Sequence, residues 1–206
     1  KNVPVAGGMG GGSADAAAAL LAVDELWCTG VDGDALLSKA AELGADIPFA
    51  LLGGTAIGVG KGDDLEPIDG VPALHWVLVP MDAGLSTPRV YAKLDEIRSA
   101  RGEAPELVAT PRKPRELINA LQFGDAREVA KYLHNDLQEA AVALMPELSI
   151  TMHAGLAAGA LAAIVSGSGP TVAMLAASAD AAEAIANRLA FEGYIAIPTH
   201  GPAKGT

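Results

Sequence analysis

Cysteine is almost missing from this sequence: 206 residues contain one, Cys28. An intrachain disulfide cannot form, nor can a zinc site built from cysteine pairs, and this usage fits a reducing cytoplasm. Cys28 follows Leu26 and Trp27 at an expected helix end, where packing explains it. Aromatic residues are also scarce, at 4%, although half of the chain is hydrophobic. Alanine, glycine and leucine fill the space instead, a composition that suits closely packed helices and tight turns and argues against disorder. Positive charge is in short supply: 14 Lys and Arg face 25 Asp and Glu, a formal net charge of −11. Such a chain repels a polyanion, which argues against nucleic acid as a partner. The basic cluster RKPR, Arg112 to Arg115, is flanked by proline and reads as a solvated loop. Long apolar runs are absent, broken by Gly, Asp or Ser well short of the ~20 residues of a membrane span. The start, KNVPVAGG, lacks the apolar stretch of a signal peptide. The four histidines, His75, His134, His153 and His200, are scattered without metal-ligand spacing. An initiator methionine is missing too, and the sequence enters almost at once on a site-like loop. Termini fray, so the expectation is that an upstream segment precedes Lys1 in the complete protein.

What is present is a regular alternation of helical and strand signals. Ser13 to Trp27 reads as a buried helix, with Ser13 near its start and Asp15 in its first turn. Asp34 to Leu43 is a second helix, capped by Asp32 or Asp34 and stopped by Gly44. ADIPFALLGG forms one short helical turn. Gly53 to Val59 and His75 to Pro80 read as strands. DGVPA, Asp69 to Ala73, is the linker, which divides the chain into domains at 1–70 and 71–206. Ser86 and Pro88 open a helix that runs to Ala100, and RGEAPELVATPRKPR is loop. Helices follow at Arg115–Gln122, Asp125–Leu133 and Pro146–Gly159. The NDLQ run, Asn135 to Gln138, reads as a helix cap. The end reads strand (Ala160–Val165), turn (SGSGP), strand (Thr171–Ala176), helix (Ala179–Glu192) and strand (Tyr194–Ile197). This interleaving predicts an α+β fold with helices on sheet faces.

The most informative stretch is PVAGGMGGGSADAA, Pro4 to Ala17, with five glycines in the six positions from Gly7 to Gly12. The first N–H groups of a helix lack internal partners and carry partial positive charge. Glycines let a phosphate approach that backbone closely. Ser13, at the junction, offers a hydroxyl to phosphate or to a bound magnesium ion. The loop is not a Walker loop, because Ser13-Ala14 follows Gly12 in place of lysine and Ser/Thr. It is not a dinucleotide fingerprint, because Ser13 stands where the third glycine belongs. No G-x-S-x-G elbow occurs.

PVAGGMGGGSADAA resembles the phosphate-binding motif of the GHMP kinases, Pro-x-x-x-Gly-Leu-Gly-Ser-Ser-Ala, with Met9 at the leucine. Two further segments resemble the same family in the same order: LGADIPFALLGGTAIGVGKGD, Leu43 to Asp63, and SGSGPTV, Ser166 to Val172. The resemblance covers nearly the whole chain. It implies a two-domain α+β kinase fold: an N-terminal part like ribosomal protein S5 domain 2, incomplete here, and a ferredoxin-like C-terminal domain.

The resemblance also implies an ATP-dependent small-molecule kinase that uses Mg2+. Pro4, Val5, Ala6, Gly7, Gly8, Met9, Gly10, Gly11, Gly12, Ser13 and Ala14 correspond to the nucleotide-binding loop, with Ser13 as the metal-side hydroxyl. Asp46 corresponds to the catalytic base, which takes the proton of the attacking hydroxyl. Thr87 and Tyr91 fall in the substrate region, where an aromatic ring packs on a base. Gly167, Ser168 and Gly169 form the turn that lies against the first glycine loop. GGGSADAA together with GADIPF is most similar to members that phosphorylate the 2-hydroxyl of a cytidine diphosphate-linked methylerythritol, in non-mevalonate isoprenoid precursor synthesis. Homoserine, mevalonate or a sugar are alternative acceptors, and a non-catalytic nucleotide-binding fragment is the alternative of another class. The last follows from the family's upstream lysine, which has no counterpart in these residues, Lys1 matching the lysine just before the glycine motif. A monomer or homodimer is expected.

Overall fold

The structure, a computed structural model, describes residues 7–103 and 113–206. Pro4, Val5 and Ala6, and most of the expected loop between Arg101 and Arg115, lie outside the described residues. The chain divides into two compact units, one of residues 10–72 and 202–206, the other of residues 1–9 and 73–201.

The unit of residues 10–72 contains α1 (Gly11–Trp27), α2 (Gly33–Leu43), α3 (Ile47–Leu52), β1 (Ala56–Val59) and β2 (Asp64–Pro67). β1 and β2 pair antiparallel as a hairpin. The Asp32 carboxylate caps α2 by accepting from the Ala35 N–H at 2.8 Å, so of the two candidate caps Asp32 takes the role. Ala17 of α1, Ala40 of α2 and Ile47 of α3 are buried together, with Ala16, Leu20, Ala50 and Leu51 around them. Small residues at this junction let the helix axes approach. The expectation of a buried α1 is met on one side only. Ala17 is its single buried residue, while Leu26 and Trp27 are exposed. α2 and α3 cover one face of the helix. Residues 202–206 return to this unit: Gly54 N–H donates to Ala203 O (2.7 Å) and Thr206 N–H to Ala50 O (3.1 Å).

The second unit is built on a four-stranded antiparallel sheet of β3 (Leu74–Val79), β4 (Ala162–Val165), β5 (Val172–Ala176) and β6 (Ile197–Gly201), in the order β4-β5-β3-β6. Numbered within the unit, that order is 2-3-1-4, which is the ferredoxin-like arrangement read from its other edge. Between β3 and β4 run α4 (Thr87–Ala100), α5 (Arg115–Phe123), α6 (Ala126–Tyr132), α7 (Gln138–Leu144) and α8 (Glu147–Ala158), and α9 (Ala179–Phe191) joins β5 to β6. Alternation along the strands sorts side chains to opposite faces. Val77, Val79, Val172, Met174 and Ala176 point to one face, where Leu148 of α8 and Ile185 and Leu189 of α9 cover them. Each such fully buried aliphatic side chain contributes about 1.5–3 kcal/mol. Leu74 and Leu175 point to the other face and pack on Ala120 of α5 and Val129 of α6.

Three departures from expectation have physical causes. β2 carries charges and ends on proline, so its sequence lacks apolar alternation; its pairing comes from the hairpin. The last strand forms at Ile197–Gly201, not Tyr194–Ile197, because β3 pairs with it from Leu78↔Ile197 to Leu74↔Gly201. Tyr194 and Ala196 pack against the main core instead. The short α7 was not expected at all. Among the described residues, no single helix is long and apolar enough to cross a membrane.

Candidate active site

The first glycine motif spans both units, and its two parts are held differently. α1 starts at Gly11, earlier than the sequence suggests. Its N-cap is Gly10, with φ of 62°, and no side chain caps it. Ser13 therefore sits inside the first turn, and Asp15 lies beyond it, so that the first turn carries no acidic residue. The first intrahelical bond runs from Ala14 N–H to Gly10 O at 2.9 Å. The N–H groups of Gly11, Gly12 and Ser13 precede that bond and have no intrahelical acceptor. A Cβ at Gly10 or Gly12 would meet nothing within 4 Å. The result is an open turn of backbone donors at the positive end of a 17-residue helix, suited to an anionic oxygen cluster.

Asp46 stands at the N-cap position of α3, yet its carboxylate makes no capping hydrogen bond. Asp32 and Asp125 occupy equivalent positions on α2 and α6, and both spend their carboxylates on backbone N–H groups. Asp46 is exposed. Ile47, the next residue, is buried with Ala16 and Ala17 of α1, one turn past Ser13. The short helix thus brings an uncommitted carboxylate to the same helical junction as the glycine turn.

The other part of the motif, Gly7 to Met9, belongs to the sheet-bearing unit. Here it is fastened to SGSGP by two hydroxyls. Ser166 Oγ donates to Gly8 O at 2.7 Å, and the buried Thr171 Oγ1 donates to Gly7 O. Gly8 has a φ of 70°, and a Cβ there would lie 2.7 Å from Ser166 O and 2.8 Å from Gly169 O. Only glycine fits without displacing backbone. Ser166 to Gly169 form a reverse turn closed by Gly169 N–H to Ser166 O, 2.9 Å. Gly167 has a positive φ of 56° and Ser168 does not, the pattern of a hairpin turn that needs glycine at its first corner. The Gly169–Pro170 peptide is cis.

Thr87 is brought to the same turn. Thr87, the first residue of α4, shares a 2.8 Å hydrogen bond with Ser168 Oγ. Ser86, expected to cap α4, makes no side-chain cap. Tyr91 follows Thr87 by four residues on the same helix face, and its ring is exposed. A hydroxyl pair thus joins α4 to the glycine turn, with an exposed aromatic ring one helical turn further along α4. Sequence reasoning missed four side chains of this construction: Ser166, Thr171, Asn135 and Gln138. The first two stand inside the quoted SGSGPTV. For the Asn135 and Gln138 contacts the sequence carries no signal, since their partners lie about thirty residues away.

Comparison with known proteins agrees with this geometry. The family model described as GHMP kinases N terminal domain matches residues 1–54, and that described as GHMP kinases C terminal matches residues 115–195. A 4-diphosphocytidyl-2-C-methyl-D-erythritol kinase of Pseudarthrobacter chlorophenolicus is 53% identical over all 206 residues, which cover 63% of that protein. The kinase of the same name from Thermobifida fusca is 51% identical over 207 aligned positions, 65% of its length. The chain therefore spans a little under two thirds of the curated relatives it matches. A crystal structure of 4-(cytidine 5'-diphospho)-2C-methyl-D-erythritol kinase superposes with a TM-score of 0.77 at 33% identity, over 97% of this chain and 68% of that one. Homoserine kinase from Cytophaga hutchinsonii superposes with a TM-score of 0.76 at 20% identity, a likeness of fold. By its two glycine motifs, its ferredoxin-like sheet and these matches, the chain belongs to the GHMP kinase family.

Proposed function

We propose that the protein carrying this chain is an ATP-dependent kinase that phosphorylates the 2-hydroxyl of 4-diphosphocytidyl-2-C-methyl-D-erythritol, a cytoplasmic step of isoprenoid precursor synthesis. Residues 1–70 serve nucleotide binding and residues 71–206 form the C-terminal domain. The observation that carries the proposal is the pairing of two features at one helical junction. One is a glycine turn with free N–H donors and no acidic side chain in the first turn; the other is an aspartate at a helix cap that does not cap. Identity of 50–54% to kinases of that name supports the acceptor. The 20% identity to homoserine kinase does not support homoserine.

The residues present fit the triphosphate of ATP. The amides of Gly11, Gly12 and Ser13 hold its oxygens, and the bare Gly10 and Gly12 admit them. Magnesium, when bound, neutralises charge on the phosphates; Ser13 offers the one hydroxyl of the turn to it. Asp46 orients the acceptor hydroxyl and takes its proton as the new oxygen–phosphorus bond forms and the bond to ADP breaks. The turn at Gly167, Ser168 and Gly169, with Thr87, positions the acceptor, and Tyr91 stacks on its cytosine. The test is a panel of acceptors with ATP: the cytidine diphosphate-linked methylerythritol, homoserine, mevalonate and a sugar. The expected result is ADP release with the first alone. Preference for another acceptor would overturn the substrate, and ADP release with none would overturn the kinase assignment.

A further inference from the structure

β4 is an edge strand of its sheet, and edge strands present unpaired N–H and C=O groups. At Val165, the last residue of β4, both outward groups are taken by side-chain amides. Gln138 Oε1 accepts from Val165 N–H at 3.1 Å. Asn135 Nδ2 donates to Val165 O at 2.7 Å and also to Gly167 O at 2.8 Å. Asn135 Oδ1 accepts from Leu137 N–H at 3.0 Å, a local turn just ahead of α7. The two amides stand in for a neighbouring strand and continue its pairing one step into the turn. What they grip is the base of the turn whose Ser166 holds Gly8 and whose Ser168 meets Thr87.

We propose that Asn135 and Gln138 are positioning residues: a two-amide clamp that fixes the Ser166–Gly169 turn, and through it the Gly7–Gly8 segment and Thr87, for phosphoryl transfer. This rests on the kinase assignment above. Among the described residues, Asn135 makes no hydrogen bond to one assigned to nucleotide, and its contribution runs through carbonyl oxygens of the turn. Displacement of a positioning element by about an ångström costs up to roughly 100-fold in rate, so the effect falls on kcat more than on KM.

The incisive variant is Asn135→Asp. A carboxylate still accepts from Leu137 N–H and so keeps that local turn, but it cannot donate to Val165 O or Gly167 O. In the full-length protein, Asn135→Asp is expected to lower kcat by about 10- to 100-fold with KM for ATP and acceptor within about threefold. Gln138→Ala should lower kcat in the same direction, and Gln138→Glu, which still accepts from Val165 N–H, should recover most of that loss. Amide hydrogen exchange supplies a readout independent of activity. Asn135→Asp should speed exchange at Ser166–Gly169 and Gly8 at least tenfold and leave α9 unchanged. Wild-type kcat in Asn135→Asp, or a loss that Gln138→Glu does not recover, would overturn the positioning role. If the wild-type protein phosphorylates no acceptor, the kinase assignment fails and exchange alone decides the clamp: unchanged exchange in the turn refutes it.

Discussion

Replacing Gly8 by alanine separates two reasons for a glycine. Gly8 and Gly10 have nearly the same backbone, φ of 70° and 62°. An L side chain in that region costs about 1–2 kcal/mol at either position. Only at Gly8 would the new Cβ press on backbone, 2.7 Å from Ser166 O and 2.8 Å from Gly169 O. The cheapest relief is for the segment to leave the turn, which breaks two hydrogen bonds. Ser166 is half-buried and regains water, a net loss of about 0.5–1.5 kcal/mol; the buried Thr171 hydroxyl is left without its acceptor, about 1–3 kcal/mol. Gly8→Ala should therefore cost about 2.5–6.5 kcal/mol in all, and Gly10→Ala about 1–2 kcal/mol. Denaturant unfolding compares the two, and hydrogen exchange at Ser166–Thr171 locates the change. Equal losses, with no faster exchange in the turn of Gly8→Ala, would refute the contact between the two glycine motifs.

The remaining predictions concern packing, the chain end and pH. Gly155 of α8 faces Met174 of β5, and a Cβ there would lie 2.4 Å from Met174 Sδ; Gly155→Ala should cost about 1–3 kcal/mol by overpacking, read by urea unfolding, and Met174→Ala in the same chain should relieve that clash. Gly205→Ala would place a Cβ 1.9 Å from Leu51 O, so residues 202–206 should detach and α3 should exchange its amide hydrogens faster. The Asp24 carboxyl is held below its ordinary value of 3.8, first by the Thr29 hydroxyl and then by the Val31 N–H. A depressed carboxyl stabilises the fold above its ordinary value, and that contribution is lost as pH falls through and below it. Thr29→Val should flatten this acid limb in unfolding titrations from pH 6 to about 3.

The segments of the candidate site are more legible in the sequence than the contacts that hold them. Glycine clusters, GADIP and SGSGP announce themselves because turns and close approaches admit few residues. The start of α1 was misread because serine usually caps, and here a left-handed Gly10 does so instead. That shift matters, since it places Ser13 among the free N–H donors. α7 has seven residues, QEAAVAL, too few for a helical period to stand out beside Pro146. β6 differs from the expected strand because only Tyr194 and Ala196 of YIAI pack on the core, Ile195 being exposed, while strand pairing with β3 selects IPTHG. Nothing in GPAKGT marks it as a brace for α3, and nothing in NDLQ says that its amides reach β4. Such contacts depend on which distant segment folds alongside, and a local pattern does not encode that.

The central claim is that Asp46, the aspartate that caps nothing, is the base. Asp46→Asn keeps shape and removes the proton acceptor. The account predicts that kcat for the cytidine diphosphate-linked acceptor falls by roughly 100- to 10,000-fold, while the affinity for ATP, measured by calorimetry on the same protein, changes less than about threefold. Near-normal turnover in Asp46→Asn would contradict it.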